Sequence, residues 1–188
     1  MIMPGIAKLA CGNAKGVEEF AGTAEGFTAS LAPLIAFPLV GAVLTGLSGN
    51  WKLALLGFVS RFCAVLILPL LVYEFSRLFH RQTHWLRTAT ALNWCYWLVL
   101  PVVLMAAIVA ASLGAFGLPL PYVEVAAFGL GGIYLLWNRW FVLKSGLNIS
   151  GWRAVLILLA SMVLSAAFSL LPLVVGLPLA GIGPSQLP

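Results

Sequence analysis

Charge is scarce in this sequence. Only 8% of its 188 residues are charged against 62% that are hydrophobic, and mean hydropathy is +1.08. Soluble domains carry roughly 25% charged residues, because water must solvate their outer surface. A chain this poor in charge cannot cover a globule with polar groups, which leaves bilayer lipid as its solvent. Cysteine is sparse too. Cys11, Cys63 and Cys95 stand alone with no CxxC, which excludes a disulfide framework or a zinc site and leaves packing thiols. Histidine is confined to His80 and His84; haem bound within a membrane takes axial ligands from the spans, and no span carries one. Residues 1–30 lack the long apolar core and small-residue cleavage site of a secretory signal. Lys8, just before Leu9-Ala10-Cys11, argues against a lipidation site.

What the chain has in abundance is apolar length. Five runs reach the roughly 20 residues that a helix needs to cross a bilayer: 29–47, 53–73, 88–113, 123–142 and 154–177. The third is longer than required, so it is expected to tilt or to lie partly at the interface. Between the runs stand Ser48-Gly49-Asn50, a charged stretch over 74–87, a Gly/Pro loop over 114–121 and a basic stretch over 144–153, all of helix-breaking composition. The expected fold is therefore an all-α integral membrane protein with three parts: an N-terminal segment 1–28, a five-helix transmembrane domain 29–177 and a tail 178–188.

Lys8, Lys15, Arg77, Arg81, Arg87, Arg139, Lys144 and Arg153 fall on one side of that topology, eight of the ten Lys and Arg, and only Lys52 lies on the other outside a span. Cytoplasmic loops carry the Lys/Arg excess. The expectation is a bacterial inner-membrane protein, N-terminus cytoplasmic and C-terminus periplasmic. The N-terminal segment is polar at Glu18, Glu19 and Glu25 and apolar at Val17, Phe20, Ala21 and Phe27, a pattern expected to lie along the membrane surface as a short amphipathic helix. Trp85, Trp94, Trp97, Trp137, Trp140 and Trp152 near the inner ends, with Trp51 and Tyr122 near the outer, form the aromatic belt of a membrane interface.

Few residues carry chemistry. Arg61 stands well inside the second span, where an arginine faces protein, water or an acid. The acid at similar depth is Glu124, so Arg61 and Glu124 form a candidate intramembrane ion pair; alternatively Arg61 snorkels to the outer headgroups. Asn93, Asn138 and Arg139, with Glu74, either line a shallow vestibule or bond across helices. His80 and His84 share a helix face at a spacing of four, but no HExxH or clustered acid accompanies them, so a solvated pair is expected rather than a metal site. Ser161, Ser165 and Ser169 form a candidate helix-packing stripe, as do Gly41, Thr45 and Gly49, while Gly129, Gly131 and Gly132 thin the fourth span. Pro38, Pro69, Pro101 and Pro172 predict kinks in four spans.

Four stretches, Gly16-Val17-Glu18-Glu19-Phe20, Glu25-Gly26-Phe27-Thr28-Ala29-Ser30, Ala91-Leu92-Asn93-Trp94 and Gly146-Leu147-Asn148-Ile149-Ser150-Gly151-Trp152-Arg153, give a further lead. In this order they resemble a family of small, uncharacterised alphaproteobacterial membrane proteins, loosely Yip1-like. The resemblance implies a five-span bundle with a scaffolding role, and no catalytic residues. The resulting expectation is a non-enzymatic scaffold or accessory subunit of a larger membrane complex. Its partners would be lipids and other integral membrane proteins, with no nucleic acid and no cofactor. The alternative is a small transporter or channel using Arg61, Glu124, Asn93 and Asn138. A membrane enzyme ranks third, since no acid–base pair shares a helix face.

Overall fold

Helix boundaries in this chain follow from its caps, glycines and prolines. In the computed structural model, which describes residues 2–49 and 51–169, every regular element is helical, with no strand among the described residues. Helix α1 spans Ile2–Ala10 and tolerates Pro4 because an N–H in the first turn has no intrahelical acceptor. It ends in a Schellman motif: Gly12, at φ 76°, lets its own N–H reach Leu9 O and that of Asn13 reach Lys8 O. A 3-10 turn follows at Ala14–Glu19. Helix α2, Ala24–Leu47, is capped by the Thr23 hydroxyl, which accepts from Gly26 N. Helix α3 spans Trp51–Leu78 and α4 spans Trp85–Cys95. Helices α5, Val99–Ala115, α6, Leu120–Gly146, and α7, Gly151–Ser169, complete the order.

Five helical stretches are long and apolar enough to cross a membrane: Ala24–Leu47, Trp51–Leu78, Gln82–Ala115, Leu120–Gly146 and Gly151–Phe168. This is the architecture of a multi-pass membrane protein. The expected runs 29–47, 53–73 and 123–142 fall inside α2, α3 and α6. The part of 154–177 beyond residue 169, with Pro172, and the tail 178–188 lie outside the described residues.

One expectation is refined and one changes. The third run, 88–113, falls inside the single helical stretch Gln82–Ala115, whose backbone tightens to a 3-10 turn at Tyr96–Leu98 between α4 and α5. Pro101 accounts for the tightening: it offers no N–H to the carbonyl of Trp97, and its ring crowds that carbonyl. In the N-terminal segment, residues 17–27 do not form an amphipathic helix. The helix lies earlier, at α1, and its apolar side is buried in protein, with Ile6 and Leu9 only 7% and 0% exposed. Val17 and Phe20 are buried beside it, in the same core.

That core is centred on α4. Every residue from Thr88 to Asn93 is buried, a burial that fits the small side chains Thr88, Ala89, Thr90 and Ala91. Around α4 pack α1, α2, α3 and α6. At the same end Arg153 lies over Phe79, its guanidinium 4.9 Å from the ring centre, which joins the start of α7 to the end of α3. The basic loops therefore gather at one end of the molecule, called the basic end below. Towards the other end α3 packs on α2 and α7, whereas α5 packs on α6.

Candidate functional site

Inside the basic half, at the tightened turn of the third span, lies a small polar cavity of about 190 Å³. Its polar lining is Asn93 and Tyr96 from the third span, Arg139 from α6, and Ser161 and Ser165 from α7; Leu34, Leu68, Pro69 and Leu92 supply apolar wall. The 3-10 turn there keeps its backbone paired, with Val99 N donating to Tyr96 O, as backbone at membrane depth must be.

Each polar side chain has a structural reason for its position. The amide of Asn93, 3% exposed, donates to Ser30 Oγ at 2.9 Å, and Ser30 in turn donates to Phe27 O. On α6, Asn138 donates to Leu9 O at 3.0 Å and Tyr134 to Ala10 O at 2.9 Å. Both acceptors are carbonyls of the last turn of α1, and Leu9 O also accepts from Gly12 N. These bonds fix the rotation of α6 about its axis, and one residue further on, about 100° round the helix, Arg139 turns into the cavity. Its guanidinium sits 5.9 Å from the centre of the Tyr96 ring, a cation–π distance. Ser165 donates to Ala64 O of α3 at 3.1 Å, and the buried Ser161 donates to Leu158 O within its own helix. Ser60 of α3 returns a bond to Phe168 O, so the α3–α7 seam exchanges hydrogen bonds in both directions. Ser169 ends α7, and its side chain lies outside what the structure describes.

The expected pair between Arg61 and Glu124 is not made. The ion pairs among the described residues are Lys8–Glu19 and Glu74–Arg77. Arg61 instead lies across Gly41 of α2; a Cβ on that glycine would meet its Nη1 at 2.8 Å. Helix α6, which carries the exposed Glu124, packs on α4, α5 and α7 rather than on α3. The glycine stripe of the first span is therefore not a uniform packing face: Gly41 makes room for Arg61, and Gly49, at φ 90°, forms the turn. In the fourth span Gly131 meets Val102 of α5, but Gly129 and Gly132 face open space. His80 and His84 do not share a helix face. His80, at φ 54°, is the left-handed cap that ends α3, and His84 belongs to a separate 3-10 turn at Gln82–His84.

Sequence reasoning brought Asn93, Asn138 and Arg139 to the inner ends but could not separate their roles. Both asparagines bond across elements, while Asn93 and Arg139 line the cavity. Tyr96 was missed; the signal was its place five residues before Pro101 in an overlong span. A second cavity of about 310 Å³ is lined by Phe37, Pro38, Arg61, Ala64, Val65 and Tyr96. It shares the last three residues with the first, so Tyr96 stands between two arginines. At the basic end Lys8 hydrogen-bonds Glu19 and holds its carboxyl below the usual carboxylate range. No group of three metal-ligating side chains occurs among the described residues.

No protein-family model matches the chain, and neither the curated proteins nor the solved structures contain a match.

Proposed function

We propose that the protein is a non-enzymatic inner-membrane scaffold or accessory subunit whose α5–α6 hairpin docks against another integral membrane protein. The observation that carries this reading is the bare face of α6. Between Val123 and Asn138 no residue of α6 is buried, and Val125, Leu130 and Ile133 are 76%, 68% and 65% exposed. On that helix Gly129 and Gly132 are exposed and meet nothing within 4 Å. Membrane helices associate through such glycines, because a missing side chain lets two backbones approach; against lipid alone the same glycines gain no packing. The positive-inside bias supports a cytoplasmic N-terminus and a periplasmic C-terminus, and the clustering of the basic loops at one end is compatible with it.

The test is extraction of the full-length protein in mild detergent, followed by native mass spectrometry. A co-purifying membrane protein is expected, with its recovery reduced in Gly129→Leu and Gly132→Leu at unchanged thermal stability of the chain itself. A homogeneous protein recovered alone would overturn the reading. A second reading, a small transporter, is favoured by the two arginine cavities that share Tyr96. A solute flux in proteoliposomes, lost in Tyr96→Leu, would select it.

A further inference from the structure

Charge balance singles out Arg139. All five acidic side chains are glutamates, at positions 18, 19, 25, 74 and 124. Glu19 is taken by Lys8 and Glu74 by Arg77, and none of the five pairs with Arg139. The neighbours that line its cavity are neutral: a tyrosine ring, an amide and two serine hydroxyls. A ring face attenuates a positive charge but does not neutralise it. An intramembrane arginine with no acid in its own chain is costly unless water or a counter-ion reaches it.

The donors present suit an anion. A guanidinium offers five N–H groups in a planar fork that matches the oxygens of a phosphate in pairs. Asn93 spends one amide hydrogen on Ser30, and its amide group carries a second. The proton of Ser161 is committed to the carbonyl of Leu158, so its oxygen offers an acceptor to water or to a protonated phosphate oxygen. A cavity of about 190 Å³ equals about six waters at roughly 30 Å³ each. That accommodates one headgroup-sized anion with a little water and excludes a nucleotide or a peptide. Arg139 stands seven residues before the end of α6 at Gly146, about 10 Å along the axis. That places the site just below the basic end, whose cations draw anions towards it.

We propose that this cavity binds a phosphate group, with the Arg139 guanidinium as its counter-ion and Asn93 as a second donor. The phosphate comes either from the headgroup of an anionic phospholipid or from free inorganic phosphate. The site is independent of any partner on α6. The purified full-length protein in detergent is titrated with phosphatidylglycerol, with phosphatidylcholine and with inorganic phosphate. Bound species are counted by native mass spectrometry, and thermal shifts are recorded alongside. Saturable binding of phosphatidylglycerol over phosphatidylcholine identifies a lipid headgroup, and saturable binding of inorganic phosphate identifies the free anion. In either arm Arg139→Gln is expected to weaken binding roughly tenfold or more, the worth of a charge-assisted bidentate contact. Arg139→Lys, which keeps the charge and loses the fork, is expected to fall between. Arg153→Gln, which removes a cation outside the cavity, should leave binding at the wild-type level. Binding equal in wild type and Arg139→Gln, no saturable binding of either probe by wild type, or an equal loss in Arg153→Gln would overturn the site.

Discussion

Glu19 and Lys8 join the 3-10 turn at Ala14–Glu19 to α1, and this contact titrates. The hydrogen bond and charge of Lys8 lower the Glu19 carboxyl from its ordinary value of 4.5. A carboxyl lowered in the folded state stabilises it above the unfolded value and loses that contribution as pH falls through the folded one. Protection of the α1 backbone amides against hydrogen exchange, corrected for intrinsic rates, should therefore hold steady from neutrality to about pH 4.5 and decline below it. Glu19→Gln should start from weaker protection and show no such decline; superimposable profiles would remove the pair from the account. Arg61 teaches the opposite lesson at this scale. Its depth was legible in the sequence, but its neighbour was not, because the choice of Glu124 assumed that α3 and α6 lie side by side. Gly41, twenty positions earlier in the chain, receives the guanidinium instead.

At the scale of elements, local chemistry explains the ends of α1 and α3, the cap of α2 and the junction before α5, but close approaches between helices depend on pairs that no local signal links. Gly146 is the sharpest case. A Cβ there would stand 2.6 Å from Thr88 Oγ1 and 2.7 Å from its Cγ2, so α4 and α6 touch through a missing side chain. Gly146→Ala should lower stability in detergent by about 1–3 kcal/mol, the usual cost of overpacking. Adding Thr88→Ala should recover part of that loss by removing both crowded atoms. Thermal unfolding of the two variants checks it, and a double variant no better than the single would show that the clash is relieved elsewhere. The tightened third span was half legible. Its excess length and Pro101 both stood in the sequence, whereas the 3-10 turn at Tyr96–Leu98 required knowing that a cavity receives it.

For the whole molecule, orientation is the property most open to test. Reporter fusions after Gly49 and Gly117 should read periplasmic, and those after Thr83 and Ser145 cytoplasmic; inverted readings would show that another signal overrides the Lys/Arg bias. What the sequence determined alone is the solvent, the helical class and the approximate reach of the spans. Each follows from a sum over many residues: too little charge for water, and apolar runs whose backbone must satisfy its own hydrogen bonds. Tertiary structure decided which side chains meet. It buried Ile6 and Leu9 of α1 in the core beside α4 and α6. It also turned Arg139 towards Tyr96, because Asn138 and Tyr134 reach the last carbonyls of α1 and so set the rotation of α6. In lipid every apolar face is equally well solvated, so hydrophobicity does not say which face packs. The choice falls to missing side chains and to a few hydrogen bonds, four of them between residues more than a hundred positions apart.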